Sequence, residues 1–439
     1  MRVAVPPLVD RRAAIADILQ IDMAGVKTVE FRDHGACSQP TRQYVPDRRG
    51  IGKKRVDFRR RACEAFAMLL LIPGPVATRP ETRAALGVDI APWDQDFRPI
   101  YAGMRQRLLR IAGGADGDHD VLPLPGGGHF VTEAAIRTFI PPGGRILVPM
   151  TGGYADSMIR LAREAGRVPV PMPIAALESI HPEAVTDALD RDPALTHVGL
   201  VQSETSTGIV HDVAAIGAAV RAAGRRMIVD AVSAFGALPM DLSAHPEIDA
   251  AVFTANKCLE AFPGIGFAAA RIDRLEASRG NAGSWSFDLC DLLAQVATRG
   301  DGRPRFTPPA QIINALFVAL DFHEQEGRVA RLARYTANMR TFRDGMIRIG
   351  LEPFAREPHQ GPILVTVHAP GDPAWDLQRF VDALKARGVL ISNFYHTPTP
   401  GFRVGCIGAI GPDDMSGAVA AMDRALNDIG ILNREKAKP

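Results

Sequence analysis

From residue 68 onward, short apolar runs alternate with amphipathic stretches. Apolar residues at helical spacing predict helices, whereas short continuous apolar runs predict buried strands. The predicted strands of this part are residues 121–124, 145–149, 168–172, 198–201, 227–230, 250–253 and 267–270. The predicted helices between them are residues 99–112, 130–139, 154–165, 182–189 and 213–223. This alternation predicts an α/β fold around a mostly parallel sheet, with ligands bound beyond the carboxyl ends of the strands.

A second series of elements is predicted beyond residue 311. Its helices are residues 312–325, 329–349, 377–386 and 415–426, and its strands are residues 363–367, 389–392 and 402–405. The long amphipathic helix at 329–349 marks the change from one series to the other. We therefore predict a large domain over residues 68–328, whose N-terminal segment reaches a smaller C-terminal α/β domain over residues 329–439.

Residues 1–67 have a different character. They mix Arg, Asp and Pro, and the stretch from Arg48 to Arg61 is strongly basic. This stretch lacks the interleaved aromatic residues of a nucleic-acid-binding arm. The acidic residues of the segment are atypical of a mitochondrial presequence. We expect a poorly ordered or accessory extension that precedes a true start at Met68.

The composition is typical of a soluble globular enzyme, with 46% hydrophobic and 23% charged residues over 439 positions. A net charge of +2 argues against nucleic acid or an acidic membrane as the main partner. No apolar run approaches the roughly 20 residues that a membrane helix needs. The cysteines lack metal-ligand spacing, so no metal site is predicted, and we expect reduced thiols in a cytoplasmic protein. They are Cys37, Cys63, Cys258, Cys290 and Cys406.

The most informative stretch is TANKCLEAFPGIGF, residues 254–267. It delivers one lysine, Lys257, just after the predicted strand 250–253, and Pro263-Gly264 then forces a turn into the next strand. A lysine between buried strands is costly to keep charged, so its pKa falls. A neutral amine is the group that forms a Schiff base with a carbonyl compound.

A glycine run, Gly126-Gly127-Gly128-His129, joins the strand at 121–124 to the helix that follows. Glycines allow a ligand to approach the backbone closely, and a helix N-terminus offers free N–H groups and the positive end of a dipole. The run therefore predicts an anion cradle, in which Gly127, Gly128 and His129 donate hydrogen bonds to a phosphate.

The candidate site residues lie at or just beyond strand ends, and they include Gly128, Tyr154, Thr205, Asp230 and Lys257. An aspartate after one strand and a lysine about one βαβ step later meet the requirements of pyridoxal 5'-phosphate. Asp230 would pair with the protonated pyridine nitrogen, while Lys257 would hold the cofactor as a Schiff base and then shuttle the proton. Tyr154 is expected to stack on the ring and Thr205 to reach the ring hydroxyl. Asn256, beside the lysine, is also assigned to cofactor binding.

Each of these residues has a structural alternative. Asp230 could cap a turn, Tyr154 could pack in the core, and His129 could simply begin a helix. A non-catalytic protein that holds a nucleotide phosphate in the glycine run is a further alternative. Such a protein has no use for the pair of Asp230 and Lys257.

Several motifs resemble those of 2-aminoethylphosphonate–pyruvate aminotransferases. They are LIPGPVATRPET, SETSTG, DAVSAFG, TANKCLEAFPGIGF and RFTPP. These enzymes belong to the class V aminotransferases of pyridoxal-phosphate fold type I, together with alanine–glyoxylate and serine–pyruvate aminotransferases. The resemblance extends over residues 69–426 and leaves out the extension before Met68.

The resemblance implies a homodimer with each active site at the subunit interface. It assigns the Schiff-base lysine to Lys257, the pyridinium partner to Asp230 and the stacking aromatic residue to Tyr154, and the glycine run matches the phosphate loop. Thr307, in RFTPP, matches the residue that the neighbouring subunit donates to the phosphate. Arg403, in FRVGCIG, matches the arginine that grips the anionic group of the substrate.

The implied reaction moves the amino group of 2-aminoethylphosphonate to pyruvate, which yields phosphonoacetaldehyde and L-alanine. Arg403 would accept a phosphonate in one half-reaction and a carboxylate in the other. Two departures keep an alternative open: Ala310-Gln311 follow RFTPP where Thr-His is common, and Gly283 precedes Ser284 where an arginine is common. The alternative is an aminotransferase for serine or alanine, with glyoxylate or pyruvate, on the same scaffold.

Overall fold

The computed structural model of the chain describes residues 68–175, 177–299, 302–393 and 399–436. The expectation for residues 1–67 lies outside these ranges. In the described residues the strands are, in chain order, β1 (Leu69–Leu70), β2 (His119–Pro125), β3 (Arg145–Pro149), β4 (Val168–Met172), β5 (Leu195–Val201), β6 (Ser203–Glu204), β7 (Ile209–Val210), β8 (Arg226–Asp230), β9 (Ile248–Thr254), β10 (Ile265–Arg271), β11 (Leu364–His368), β12 (Val389–Leu390) and β13 (Gly401–Gly405).

Helices cover both faces of the main sheet and make up much of the C-terminal part. They are α1 (Pro80–Leu86), α2 (Phe97–Ile111), α3 (Gly128–Phe139), α4 (Gly153–Glu164), α5 (Pro182–Arg191), α6 (Val213–Ala222), α7 (Ile272–Ala277), α8 (Leu289–Arg299), α9 (Ala310–Glu326), α10 (Arg328–Arg348), α11 (Leu377–Lys385) and α12 (Pro412–Asp428). None of the helices in the described ranges is long and apolar enough to cross a membrane.

The central sheet has seven strands in the order β2-β10-β9-β8-β5-β3-β4. Only β10 runs against its neighbours, β2 and β9, and every other pair in the sheet is parallel. The predicted α/β class with a mostly parallel sheet is therefore confirmed. Because β2, β3, β5, β8 and β9 share one direction, their carboxyl ends lie along the same edge.

Both faces of this sheet are buried, as a parallel sheet requires. The period of two along a strand divides its side chains between two apolar clusters. Leu147 packs in one cluster with residues of α2, α6 and α9. Its neighbours Ile146 and Val148 pack in the other cluster with residues of α3, α4 and α8. This burial on both sides explains why the strands appear in the sequence as continuous apolar runs.

The C-terminal part has a separate apolar cluster, formed by α10, α11, α12 and the antiparallel pair of β11 and β13. The first described strand joins this part, because β1 pairs in parallel with β12 and the amide of Gly405 donates to the carbonyl of Leu71 at 2.8 Å. The start of the described chain thus contacts the C-terminal part. The domain boundary at residue 328 stays a prediction.

The sequence-based assignment missed three helices, α1, α7 and α8, and overextended one strand. Helix α1 precedes the first predicted helix, and α7 and α8 lie between β10 and the helix predicted at 312–325, where no helix was predicted. Asp288, which precedes the helix, caps the start of α8, because its carboxylate accepts hydrogen bonds from the amides of Cys290 and Asp291. The strand predicted at 389–392 ends at Leu390, where its pairing with β1 ends.

A buried ionic cluster joins the turn after β9 to helix α10. The carboxylate of Glu260 accepts hydrogen bonds from Arg334 at 2.8 Å and from the hydroxyl of Tyr335 at 2.6 Å. Arg331 is fully buried, and it donates to Glu326 at 2.8 Å and to the carbonyl of Cys258 at 2.7 Å. The backbone beside Lys257 is thus anchored to the first turn of α10.

We expect Glu260→Ala to lower the free energy of unfolding by about 3–5 kcal/mol, because it leaves buried arginine charge without its carboxylate. Denaturant unfolding measures this change. The matched control is Asp187→Ala, which breaks an exposed helical pair with Arg191. That variant should lose less than about 1 kcal/mol. Equal losses in the two variants would contradict a structural role for the buried cluster.

Candidate active site

A cavity of about 180 Å³ lies at the edge where the parallel strands of the central sheet end. Eight of the residues predicted from the sequence line it: Gly127, Gly128, His129, Tyr154, Thr205, Asp230, Asn256 and Lys257. They come from the ends of five strands, β2, β3, β5, β8 and β9, that are separated by as much as 130 residues of sequence. The fold therefore brings these residues together, and their individual roles stay predictions.

Lys257 lies three residues beyond the end of β9, and its side chain is partly buried. Its ammonium nitrogen donates a hydrogen bond to the carbonyl of Pro73 at 2.8 Å. Burial lowers the pKa of Lys257 to about 8, and the positive charge of Arg403 acts in the same direction. At pH 7 such an amine has about 300 times more of its neutral form than an ordinary lysine.

Gly74 packs against the side chain of this lysine. Its φ of +142° is strained for any residue with a side chain. A Cβ at this position would lie 2.5–2.6 Å from the Cδ, Cε and Nζ atoms of Lys257. This packing explains the glycine of the LIPGP motif near the start of the described chain, since only glycine leaves room for the lysine.

Asp230 is the last residue of β8, and it is buried. Burial raises the pKa of Asp230 to about 6, although the amide of Val232 donates to its Oδ1 at 2.9 Å and Lys257 favours the charged form. The carboxylate of Glu204 acts in the same direction as burial. A carboxylate held in this way gains from a cationic partner, because the partner restores the charged form.

The glycine run forms the turn between β2 and α3. Gly127 is the N-cap of α3, so the amides of Gly128 and His129 have no intrahelical partners, and both residues line the cavity. Close packing leaves no room for a side chain at two of these glycines, since a Cβ on Gly126 would lie 2.7 Å from the ring of Phe130 and one on Gly128 would lie 2.9 Å from Val232. This arrangement matches the predicted anion cradle.

Two aromatic rings face each other at the cavity wall. The rings of His129 and Tyr154 are 6.3 Å apart between centroids and are inclined by 29°. Tyr154 lies in the first turn of α4, and its amide is 3.3 Å from Oε2 of Glu204. Both side chains are therefore placed by helix starts at the same sheet edge.

Four buried hydroxyl groups at the cavity have no hydrogen-bond partner among the described residues. They belong to Thr132, Ser203, Thr205 and Thr254. An unpaired buried hydroxyl costs about 1–3 kcal/mol. A polar ligand in the cavity would offset that cost. The sequence reasoning identified Thr205 and missed the other three, although Ser203 and Thr254 begin the motifs SETSTG and TANKCLEAFPGIGF. Their burial around one cavity is visible only in the fold.

The last two predicted residues lie apart from the cavity lining. Arg403 is buried in β13, and its Nη1 donates to the carbonyl of Thr205 at 2.8 Å. It therefore contacts a residue of the cavity from the C-terminal part of the chain. Thr307 is exposed in the segment before α9, and it does not line the cavity.

Comparison with known proteins identifies the family. The family profile described as "Aminotransferase class-V" matches residues 94–353. A 2-aminoethylphosphonate–pyruvate transaminase from Burkholderia ambifaria is 43% identical over 364 residues, which cover 83% of this chain and 96% of the relative. The enzyme of the same name from Burkholderia pseudomallei is 42% identical over 367 residues, or 83% of this chain and 98% of that one.

Solved structures agree with these sequence matches. Pyridoxamine–pyruvate aminotransferase from Mesorhizobium loti superimposes with a TM-score of 0.75 at 27% identity, over 82% of this chain and 92% of that one. Ureidoglycine–glyoxylate aminotransferase from Bacillus subtilis gives a TM-score of 0.74 at 22% identity, over 83% and 94% of the two chains, and supports the fold alone. The resemblance seen in the sequence motifs is confirmed, and the chain belongs to the class V aminotransferase family.

Proposed function

We propose that this aminotransferase moves the amino group of 2-aminoethylphosphonate to pyruvate and releases phosphonoacetaldehyde and L-alanine. The observation that carries this proposal is the cavity in which Lys257 and Asp230 meet the glycine run, in a chain 43% identical to a transaminase named for these substrates. Transamination needs an amine that can be deprotonated inside a buried site. Lys257 meets that need through its lowered pKa.

The residues of the cavity suit pyridoxal 5'-phosphate. Its phosphate would lie against the amides of Gly127, Gly128 and His129, and the four unpaired hydroxyls would receive partners. Asp230 would hold a proton on the pyridine nitrogen, and Lys257 would bind the aldehyde. When bound, the cofactor supplies an electron sink for the bond-breaking step.

Other protein groups around the cavity are assigned to orienting the ring, moving the proton and binding the substrate anion. Tyr154 and His129 would restrain the ring plane, since both rings border the cavity. The Nζ of Lys257 holds and returns the transferred proton, and the carbonyl of Pro73, at 2.8 Å, orients that amine. Arg403 would bind the phosphonate or carboxylate of each substrate, because a planar guanidinium suits both kinds of anion.

A homodimer completes the proposal. Thr307 is exposed and lies outside the cavity of its own chain, so it remains available to the phosphate of a second subunit. We further propose a cytoplasmic enzyme. Cys258, Cys290 and Cys406 are free thiols, which is the usual state of cysteines in a reducing compartment.

The direct test is a single-turnover experiment with a panel of amines. We expect 2-aminoethylphosphonate to convert the absorbance of the cofactor promptly to that of its amine form, whereas serine and alanine react slowly. Pyruvate should then restore the original spectrum, and L-alanine should appear in equal amount. A prompt response to serine with none to 2-aminoethylphosphonate would overturn the assigned donor and favour the alternative aminotransferase.

Lys257→Ala is the matched control for this panel. It should retain some cofactor through the phosphate cradle and Asp230, but it should lose turnover, because general acid–base steps contribute about 10²–10⁴-fold and the covalent link is also lost. Turnover of this variant at the rate of the unmodified enzyme would refute the role of Lys257.

The lowered pKa of Lys257 predicts how the cofactor-free protein captures pyridoxal 5'-phosphate. The neutral amine is the nucleophile, so the rate constant should rise with pH and level off above a midpoint of about 8. Stopped-flow absorbance measures this rate. A rise that continues toward pH 10.4, the value of an ordinary lysine, would contradict the effect of burial.

A further inference from the structure

Glu204 is a fully buried carboxylate that none of the sequence motifs assigns to the chemistry. It ends β6 and lies three residues beyond the end of β5, the strand that contributes to the cavity edge. Its Oε1 accepts hydrogen bonds from the amide and the hydroxyl of Ser206 at 3.0 and 2.7 Å. Its Oε2 lies 3.3 Å from the amide of Tyr154 and 3.4 Å from the hydroxyl of Thr151. All four donors are neutral, so they hold the carboxylate in place without cancelling its charge.

The backbone is shaped to admit this side chain. Gly152 has a φ of +150°, and a Cβ there would lie 2.8 Å from the Cγ and Cδ of Glu204 and 2.3 Å from the hydroxyl of Ser206. Only glycine satisfies both the angle and the space. The turn before α4 therefore leaves a place for Glu204 beside Tyr154.

The segment of Glu204 is fixed to the strand that carries Arg403. The guanidinium of Arg403 donates to the carbonyl of Thr205 at 2.8 Å. Thr366, which is paired opposite Arg403 in the β11–β13 sheet, donates its hydroxyl to the carbonyl of Ser206 at 3.3 Å. These two contacts hold the carboxylate of Glu204 and the guanidinium of Arg403 in one buried region.

The charge of Glu204 acts on both functional groups around it. Burial lowers the pKa of Arg403, while Tyr154 and Glu204 oppose that change. Burial raises the pKa of Asp230, and Glu204 adds to that increase. The negative charge of Glu204 thus affects both the proposed substrate anion site and the proposed pyridinium site.

We propose that Glu204 is a specificity-determining residue that offsets part of the positive charge of Arg403, so that one anion pocket accepts both a dianion and a monoanion. This inference rests on the proposed function, in which a phosphonate and a carboxylate bind in turn at Arg403. A phosphonate carries close to two negative charges, as a phosphate ester does. Electrostatic energy scales with the product of the charges, so Glu204 repels the phosphonate about twice as strongly as the carboxylate.

Two unreactive probes of the same tetrahedral shape isolate this effect. Methylphosphonate is a dianion at about pH 8.5, whereas methanesulfonate is a monoanion. Their dissociation constants are to be measured on the holoenzyme by thermal-shift titration, which does not depend on turnover. For the unmodified protein we expect the two constants to agree within about threefold, because Glu204 offsets the gain from the second charge.

Glu204→Gln preserves the shape of the side chain and removes its charge. In this variant the affinity for methylphosphonate, relative to that for methanesulfonate, should be about tenfold higher than in the unmodified protein. Glu204→Asp retains the charge and should retain the ratio of the unmodified protein. Glu164→Gln, the same change at an exposed position of α4, should alter neither constant. Arg403→Ala should abolish the binding of both probes, which verifies that they occupy the proposed pocket.

The inference would be overturned if Glu204→Gln had the same ratio of the two dissociation constants as the unmodified protein. It would also be overturned if Glu204→Asp changed that ratio as much as Glu204→Gln does. If the glutamine variant does not fold, the unmodified protein alone still tests the inference. A preference for methylphosphonate over methanesulfonate of more than about tenfold would show that Glu204 does not offset the charge of Arg403, and it would overturn the inference. The proposed donor is tested separately. An enzyme that ignores 2-aminoethylphosphonate but shows the expected probe ratios would refute the donor and support the role of Glu204.

Discussion

The site depends on the parallel direction of five strands, β2, β3, β5, β8 and β9. Their carboxyl ends share one edge of a sheet that is buried on both faces, so polar residues placed just after the strands meet in one cavity. The low dielectric of that cavity changes the acidity of Lys257 and Asp230 in opposite directions. Burial lowers the pKa of the amine to about 8 and raises that of the carboxyl to about 6.

These two changes complement each other chemically. The amine becomes a better nucleophile near neutral pH, and the carboxyl gains more from a cationic partner than an exposed carboxylate would. A pyridine ring with a carbonyl carbon at one end and a basic nitrogen at the other satisfies both groups. The surrounding structure serves the same arrangement, since Gly74 leaves space for the lysine and the buried cluster of Glu260 and Arg331 anchors the backbone beside it.

The sequence alone predicted the fold class and eight of the residues that line the cavity. Lys257, Asp230 and the glycine run follow strong apolar strands, so hydrophobic periodicity placed them correctly at one edge. Glu204 was missed because its importance comes from contacts with Tyr154 and Ser206 and from the space beside Gly152. A period of apolar residues carries no information about such contacts.

Other misses have equally local causes. The unpaired hydroxyls of Thr132, Ser203 and Thr254 belong to ordinary residue types whose function is visible only once the fold surrounds them with one cavity. Helix α8 was missed because it begins after an irregular segment rich in glycine and serine. The role proposed for Thr307 depends on a second subunit and stays a prediction, because no pattern within one chain encodes its position there.

The central claim is that Lys257 is the amine that binds the cofactor. Borohydride reduction of the holoenzyme, followed by proteolysis and mass spectrometry, tests it most directly because reduction makes a Schiff base permanent. The expected result is one pyridoxyl adduct, on the peptide that contains residues 254–267, with Lys385 and Lys436 unmodified. An adduct confined to another lysine, or none in a protein that transfers amino groups, would contradict the assignment.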